Sequence, residues 1–395
     1  MKPLDGITIL DLSRVLAGPY CTMMLADQGA RVIKIEHPKA GDDTRGWGPP
    51  FLNGESAYFL SINSNKESLT LDFKQPEGRR LLDQLIAKAD VVVENFRPGT
   101  LEKQGLGYQT LSALHPRLIF CSVSGFGQTG PRSREAGYDA VMQAEGGLMS
   151  VTGAADGPPY RLGVPIADVT SGMFAASGVL LALYQREKTG RGQLVDVAML
   201  DSVMSLLTYQ GGIYFATGQA PQRRGNRHPT IVPYEVFSAS DGDFVVAAGN
   251  DELFRKFCEV AGLQSLATHE RFSRNKGRVE GYDEIRPIIQ EQLRTKTWKE
   301  WIDALKAAGV PCGGVRDLRE VFDDPQVGPR EMVDTIDHPK AGRIRVVNTP
   351  IKLSASTRRA RTAPPTLGQH TDAVLSKDLG LTRDQIAALR AAGVV

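Results

Sequence analysis

The residue with the clearest chemical potential is Asp168, which follows the turn-forming Gly163-Val164-Pro165 and directly precedes a long apolar stretch. An aspartate so placed serves as an N-cap, accepting a backbone N–H. A helix N-terminus also favours the ionised form, and an ionised carboxylate is a nucleophile for acyl transfer. Both roles fit. Two glycine-bearing turns are the other candidates. Arg14-Val15-Leu16-Ala17-Gly18-Pro19, with Glu36 closing the next apolar run, has the placement of a dinucleotide-binding turn and its ribose-binding acid. One glycine stands where G-x-G-x-x-G needs three, and Pro19 sits where the helix begins, which argues against a nicotinamide dinucleotide and its redox chemistry. Gly125-Phe126-Gly127-Gln128-Thr129-Gly130-Pro131 lacks the Lys-Ser/Thr ending of a P-loop. It reads equally as a connector or as a loop whose backbone approaches a ligand.

The elements that must position these residues alternate. Ile7–Leu12, Arg31–Glu36, Ser68–Phe73, Val91–Val93 and Leu118–Ser122 read as strands, and Tyr20–Gln28 and Glu77–Ala89 as helices. Strands alternating with helices predict βαβ units on a mostly parallel sheet. Val169 to about Lys188 predicts one long helix, closed by Gly190, with Arg186 and Lys188 in its last turn. Its small residues, Gly172, Ala175, Ala176, Ser177 and Gly178, predict close packing on both sides. From Arg223 the texture changes. A basic, turn-rich stretch precedes a hairpin, Tyr234–Ala239 and Phe244–Ala248 around an Asp-Gly turn. Helices follow at Asp251–Ala261 and Trp298–Ala308, with Trp298 and Trp301 as packing residues. Asp323–Val327 reads as loop, Ile344–Val347 as a strand rejoining a sheet, and Thr382–Ala392 as an amphipathic helix.

Composition narrows the function classes. The 395 residues carry 47 Lys+Arg against 45 Asp+Glu, a net charge of +2, which speaks against a strongly basic nucleic-acid surface. The 41 glycines cluster in short motifs. Cys21, Cys121, Cys258 and Cys312 form no C-x-x-C pair, so zinc-ribbon and thioredoxin-type readings fail, and a reducing compartment is expected. The acidic Asp5 and Asp11 interrupt the apolar stretch of Met1–Leu12, so no secretory leader is expected. The longest mainly apolar run, Met173–Tyr184, is shorter than the ~20 residues of a membrane span. Cytoplasmic location, no membrane, no nucleic acid and no metal are the expectations. His115, His269, His338 and His370 read as surface or turn residues.

Five segments in order along nearly the whole chain resemble the family III CoA-transferases, of the formyl-CoA transferase and carnitine CoA-transferase type. They are Leu16-Ala17-Gly18-Pro19; Asn63-Ser64-Asn65-Lys66 with Leu71-Asp72-Phe73-Lys74; Glu94-Asn95-Phe96-Arg97-Pro98-Gly99; Ser124-Gly125-Phe126-Gly127 with Gly130-Pro131; and Lys188-Thr189-Gly190-Arg191-Gly192-Gln193. Residues Asp42–Phe51, Ala136–Val141, Ile231–Tyr234 and Ala391–Val395 resemble the branch containing succinate–hydroxymethylglutarate CoA-transferase.

The resemblance implies an α/β fold: a Rossmann-like large domain with an inserted small α+β domain, in an interlocked homodimer. The domains would be residues 1–205, a linker 206–226, a small domain 227–318, a linker 319–340, and a C-terminal segment 341–395 completing the large domain. It implies transfer of CoA from an acyl-CoA donor such as succinyl-CoA to a carboxylic, dicarboxylic acid, through an anhydride and a CoA thioester on Asp168. CoA thioesters are then substrates, with no tightly bound cofactor. The CoA site falls on Leu16, Ala17, His37, Leu71, Asp72, Phe73, Lys74, Asn95, Phe96, Arg97, Lys103, Ala136, Gly137 and Tyr138. Lys74, Arg97 and Lys103 are the phosphate partners, since cations suit the pyrophosphate and 3′-phosphate. Arg45, Arg227 and His228 are candidates for a second substrate carboxylate, and Gly125–Gly127 or Ala248-Gly249-Asn250 for oxyanion donors. Leu16 in place of glutamine speaks against formyl or oxalyl specificity. The related α-methylacyl-CoA racemases carry a histidine base at the position of Tyr138. Tyrosine is a poor base at neutral pH, so racemisation is the lesser alternative, beside a non-catalytic CoA-thioester binder.

Overall fold

The computed structural model describes residues 2–356 and 361–395. It divides into two compact units. One comprises Met1–Leu148, Arg161–Gly212 and Pro325–Val395; the other Met149–Tyr160 and Ile213–Asp324.

The first unit is built on a six-stranded sheet: β1 (Thr8–Asp11), β2 (Arg31–Glu36), β3 (Lys66–Thr70), β4 (Val91–Glu94), β5 (Ile119–Ser124) and β6 (Leu194–Ala198). Every pair is parallel and the order is β3-β2-β1-β4-β5-β6. Strands buried on both faces read as continuous apolar runs, and the side chains divide by alternation. Ile9, Val32, Val91 and Val93 join the core on one face; Leu10, Ile33, Ile35 and Val92 join the other. Helices α1 (Ala17–Asp27), α3 (Asp139–Glu145) and α4 (Ile166–Thr189) cover the first face. The second is covered by α2 (Pro76–Ile86) with α5 (Thr371–Leu379) and α6 (Arg383–Ala391), and Val394 and Val395 are buried there. This strand order winds outward in both directions from β1 and β4, and ligands bind such sheets where the direction switches, beyond the carboxyl ends of the strands.

Helix α4 has 24 residues, and its length and composition would suffice to cross a bilayer. The run is thus longer than the twelve-residue core read from sequence, because small and polar residues extend the apolar segment. Ala175, Ala176, Val179 and Ala182 pack into the sheet core. Gly172 is required there, since a Cβ would meet the Ala17 carbonyl oxygen of α1 at 2.6 Å. Gly190 closes the helix at φ 70°. Proline 165, not Asp168, occupies the N-cap position, and Asp168 is the third helical residue with no capping bond of its own.

Two expectations are corrected here. Gly342–Val347 does not rejoin the main sheet. It pairs antiparallel with Val333–His338, inside the stretch read as linker, because Ile336, Ile344 and Val346 share a small core with Leu60. His338 is buried in that hairpin, its Nδ1 accepting the N–H groups of Lys340 and Ala341.

The second unit holds an antiparallel sheet of Tyr234–Ser238, Asp243–Ala247 and Cys312–Gly314. Its core gathers Phe237, Phe244, Phe254, Phe257 and Trp301; the Trp301 indole donates to the Leu293 carbonyl at 2.7 Å. Residues 149–160, placed by sequence in the large domain, group with this unit. Hydrogen bonds hold them there: Gly225 N–H donates to the Gly153 carbonyl, 2.9 Å, and the Arg223 guanidinium to the Gly157 carbonyl, 2.8 Å.

Candidate active site

Two cavities lie in the first unit along the segments that follow the strands. One, of about 440 Å³, is lined by Leu12, Arg14, His37, Leu71–Lys74, Phe96 and neighbours. The other, of about 350 Å³, is lined by Arg14, Ala17, Asn95–Pro98, Gly125, Ala136–Tyr138, Asp168 and Met199, among others. Arg14, Asp43, Phe96 and Thr100 line both. The pair therefore flanks the switch between β1 and β4, where an open α/β sheet takes its ligand. The Gly125 loop and the Ala136–Tyr138 segment meet backbone to backbone. A Cβ on Gly125 would approach the Gly137 Cα at 2.9 Å, and one on Gly137 the Gly125 Cα at 2.7 Å, so neither position accepts a side chain without displacement.

Asp168 is partly buried in the first turn of α4. Burial, and then the neighbouring charge of Asp139, push its carboxyl up to about 7. This corrects the expectation that the helix terminus keeps it ionised. The terminus is served by Asp139 instead, whose Oδ1 accepts the N–H of Ala167 at 2.8 Å and of Asp168 at 3.5 Å. Asp139 also holds Gln143 at 2.7 Å. Tyr58 lies in the same field. Burial, then Asp168 and Asp139, raise its hydroxyl to about 12, so it stays a proton donor at neutral pH. Its ring meets Trp47 edge-on at 5.4 Å. Reading the sequence missed Asp139 and Tyr58. The one available signal for Asp139 was an acid directly after Tyr138 in the Ala136–Val141 motif.

The turn after β1 shows why a dinucleotide loop was the wrong pattern. Its backbone N–H groups are already taken by side chains. Ser13 N–H donates to Asp11 at 3.0 Å, Arg14 N–H to Asn95 Oδ1 at 2.8 Å, and Val15 N–H to Asp42 at 3.3 Å. Two fully buried lysines hold its carbonyls: Lys34 reaches Ser13 and Lys66 reaches Pro19, both at 2.8 Å. Lys34 is also 2.8 Å from Asp42, and Lys66 3.1 Å from Asp11. Burial opposes the charge on Asp11, but Lys66 and Lys34 outweigh it and hold the carboxyl near 2. Burial draws Lys66 down to about 8 despite Asp11. Glu94 is another displaced carboxyl: burial pushes it to about 7, although Ser122 and the Phe96 N–H donate to it.

The predicted residues divide. His37, Leu71, Asp72, Phe73, Lys74 and Phe96 line the larger cavity; Ala17, Asn95, Phe96, Arg97, Ala136, Gly137, Tyr138 and Asp168 the smaller. His37 Nδ1 accepts from the Lys39 and Ala40 N–H groups at 3.2 and 3.3 Å, leaving Nε2 as its free donor position. The Asn95 amide is spent at both ends on the Arg14 backbone. Leu16, which is buried, and Lys103, which is exposed, line neither cavity. Arg45 is not available to a substrate. It grips both oxygens of buried Glu36 at 2.7 Å, donates to Pro365 at 3.1 Å and lies over Phe59 at 3.7 Å. Gly127 N–H donates to Ser124 Oγ, so it is not a free oxyanion donor. In the second unit, His228 Nδ1 accepts the Thr230 N–H at 3.2 Å and the ring stacks on Tyr234; Arg227 lies over Tyr282 at 3.4 Å. Asn250 caps the helix that follows it, and Ala248 N–H bonds Pro233.

Comparison with known proteins places the chain in a family. CoA-transferase family III matches residues 4–371. The chain belongs to that family. It is 41% identical over 395 residues to the succinyl-CoA:glutarate CoA-transferase of Mus musculus, covering all of this chain and 91% of that protein. It is 42% identical over 381 residues to the succinate–glutarate CoA-transferase of Agrobacterium fabrum, covering 95% of each. A CaiB/BaiF family protein from Brucella suis superposes with a TM-score of 0.84 at 41% identity, covering 95% of this chain and 99% of that one. This family III member is accordingly a CoA-transferase, and its α/β architecture with a parallel central sheet is that of its relatives.

Proposed function

We propose that this CoA-transferase moves CoA from succinyl-CoA to a second dicarboxylic acid, with Asp168 as the covalent relay. One observation carries the reading: a partly buried carboxyl titrating near 7 lines a cavity that shares four residues with a second cavity bearing His37 and Lys74. The names of the glutarate-using relatives support the substrate class.

Ionised Asp168 attacks the succinyl thioester carbon, giving a succinyl–aspartyl anhydride and CoA thiolate. The thiolate attacks the aspartyl carbon, releasing succinate and leaving an aspartyl-CoA thioester. The acceptor carboxylate attacks that carbon and expels CoA thiolate, which then attacks the acceptor acyl carbon of the new anhydride. The product thioester leaves and the Asp168 carboxylate is regenerated. Raising the carboxyl toward 7 makes its anion more basic, hence more nucleophilic, than an ordinary aspartate. Tyr58 and Tyr138 are hydrogen-bond donors for substrate oxygens, while Lys74 and Arg97 meet the phosphates.

The proposal extends to a Rossmann-like reading of the large unit, with the small unit inserted in its sequence, and to a homodimer. Helix α4 exposes Met173, Phe174, Leu180, Leu181 and Tyr184 along one stripe, an apolar face of the kind that marks association. A second copy of the chain is its occupant in this reading. Unpaired cysteines suit the cytoplasm. The decisive experiment is intact-protein mass spectrometry after incubation with succinyl-CoA. A CoA or succinyl adduct on Asp168, lost in Asp168→Ala, is the expected result. The absence of any adduct from protein that still binds CoA would remove the covalent route.

A further inference from the structure

Arg14 sits where the two cavities meet and lines both. Among the described residues, Arg14 and Arg97 are the cations lining the cavity that contains Asp168. Arg14 is also the more deliberately mounted of the two. The Asn95 side chain bonds both its N–H and its carbonyl, at 2.8 and 2.7 Å. Buried Lys34 holds the carbonyl before it, and Asp42 the N–H after it. Val15, next in the chain, is held at φ 67°, a conformation unfavourable for a β-branched residue that persists only where its surroundings impose it.

Its guanidinium, by contrast, is loosely engaged. The nearest acid is Asp43, 3.2 Å away, and both side chains are about half exposed at 50% and 47%. The Phe96 ring lies 5.5 Å from it. An ion pair so open to water is weak, so an incoming anion displaces Asp43 at small cost. A planar carboxylate meets guanidinium with two parallel bonds. Arg45, one of the cations that the sequence suggested for this task, is locked on Glu36.

The geometry points to Arg14 as the receptor for the second carboxylate of the dicarboxylic substrate, with Asp43 holding the guanidinium until the acid arrives. The inference rests on the proposed dicarboxylate chemistry and deepens it. Arg14 then selects diacids over monoacids of the same length, and it acts on acceptor binding rather than on CoA binding.

The test compares glutarate with valerate, which has the same chain and lacks one carboxylate, as acceptors from succinyl-CoA in wild type and Arg14→Gln. The dissociation constant of free CoA is measured beside them. The expected result is a rise of about 10–100-fold in the glutarate KM, with the preference over valerate collapsing, and CoA affinity within about twofold. Asp43→Asn, which frees the guanidinium, is expected to lower the glutarate KM about two- to fivefold and covers the case in which Arg14→Gln misfolds. Intact discrimination with weakened CoA binding would make Arg14 a phosphate partner and overturn the assignment. So would kinetics unchanged in both variants. Glutarate-dependent thermal stabilisation of the CoA-loaded protein separates the two levels of inference. Stabilisation of wild type but not Arg14→Gln, without turnover, would keep the carboxylate contact while sinking the transfer reaction.

Discussion

Asp11 and Asp168 carry the same functional group within one unit, yet their surroundings set them at opposite ends of the carboxylate range. Asp11 is fully buried, but two lysines and the hydroxyls of Ser13 and Thr22 surround it, and it stays ionised down to about 2. Asp168 is less buried. Its charged neighbour is Asp139, and it rises to about 7. Burial alone therefore does not make a carboxyl reactive. At Asp11 the lysine charges outweigh burial, whereas at Asp168 burial dominates and the like charge of Asp139 adds to it. Asp11 braces the turn that presents Arg14, and Asp168 lines one of the cavities that Arg14 lines.

That contrast can be broken most severely at the nucleophile. Asp168→Ala is expected to reduce CoA exchange by on the order of 10⁴-fold or more, measured as steady-state formation of the new thioester; residual activity within tenfold of wild type would transfer the role elsewhere. The Asp11 site should fail in stability. Lys66→Met leaves Asp11 and the Pro19 carbonyl without their partner and is expected to cost about 3–5 kcal/mol, read from the denaturant midpoint of the first unit. A loss below 1 kcal/mol would mean that Lys34 suffices.

Asp139→Asn sharpens the comparison, because asparagine keeps the acceptor for the Ala167 N–H while removing the like charge. The acidic limb of the kcat/KM profile, expected near pH 7 in wild type, should move down by about one unit. It should remain above the ordinary aspartate value, since burial is the larger cause and persists. A limb that does not move would show that Asp139 acts through packing alone. The smallest effect concerns stability. Asp168 has its folded-state pKa raised, so the unfolded chain loses this proton first, and the penalty accumulates as pH rises from about 4 to 7. Asp168→Asn should therefore melt about 1–3 °C higher than wild type at pH 8, with the gap closing by pH 4. A gap that widens toward acid would reverse the assigned shift.

Much of the frame was readable from local pattern. The run Val91-Val92-Val93 and the strand Arg31–Glu36 lie where alternation placed them, and the Asp-Gly turn closes its hairpin. These elements depend on neighbours a few residues away. The errors came where the deciding partner lies beyond what local pattern can name. The cap reading of Asp168 fails because Asp139, 29 residues earlier, supplies the oxygen at that helix terminus. The substrate-cation reading of Arg45 fails because the turn after Glu36 folds back and pairs the two. Residues Ile344–Val347 carried strand character, but nothing local said which strand they would join.

Composition, motif order and periodicity were therefore enough to point to a family III CoA-transferase and to most strands of its central sheet, since each is written in residue type and short-range spacing. Which carboxylate is paired with lysine, which is pushed toward neutrality and which arginine is locked on a buried carboxylate were settled by folding alone. Charge interactions in a low-dielectric interior depend on distances of a few ångströms between groups that the chain separates by tens of residues.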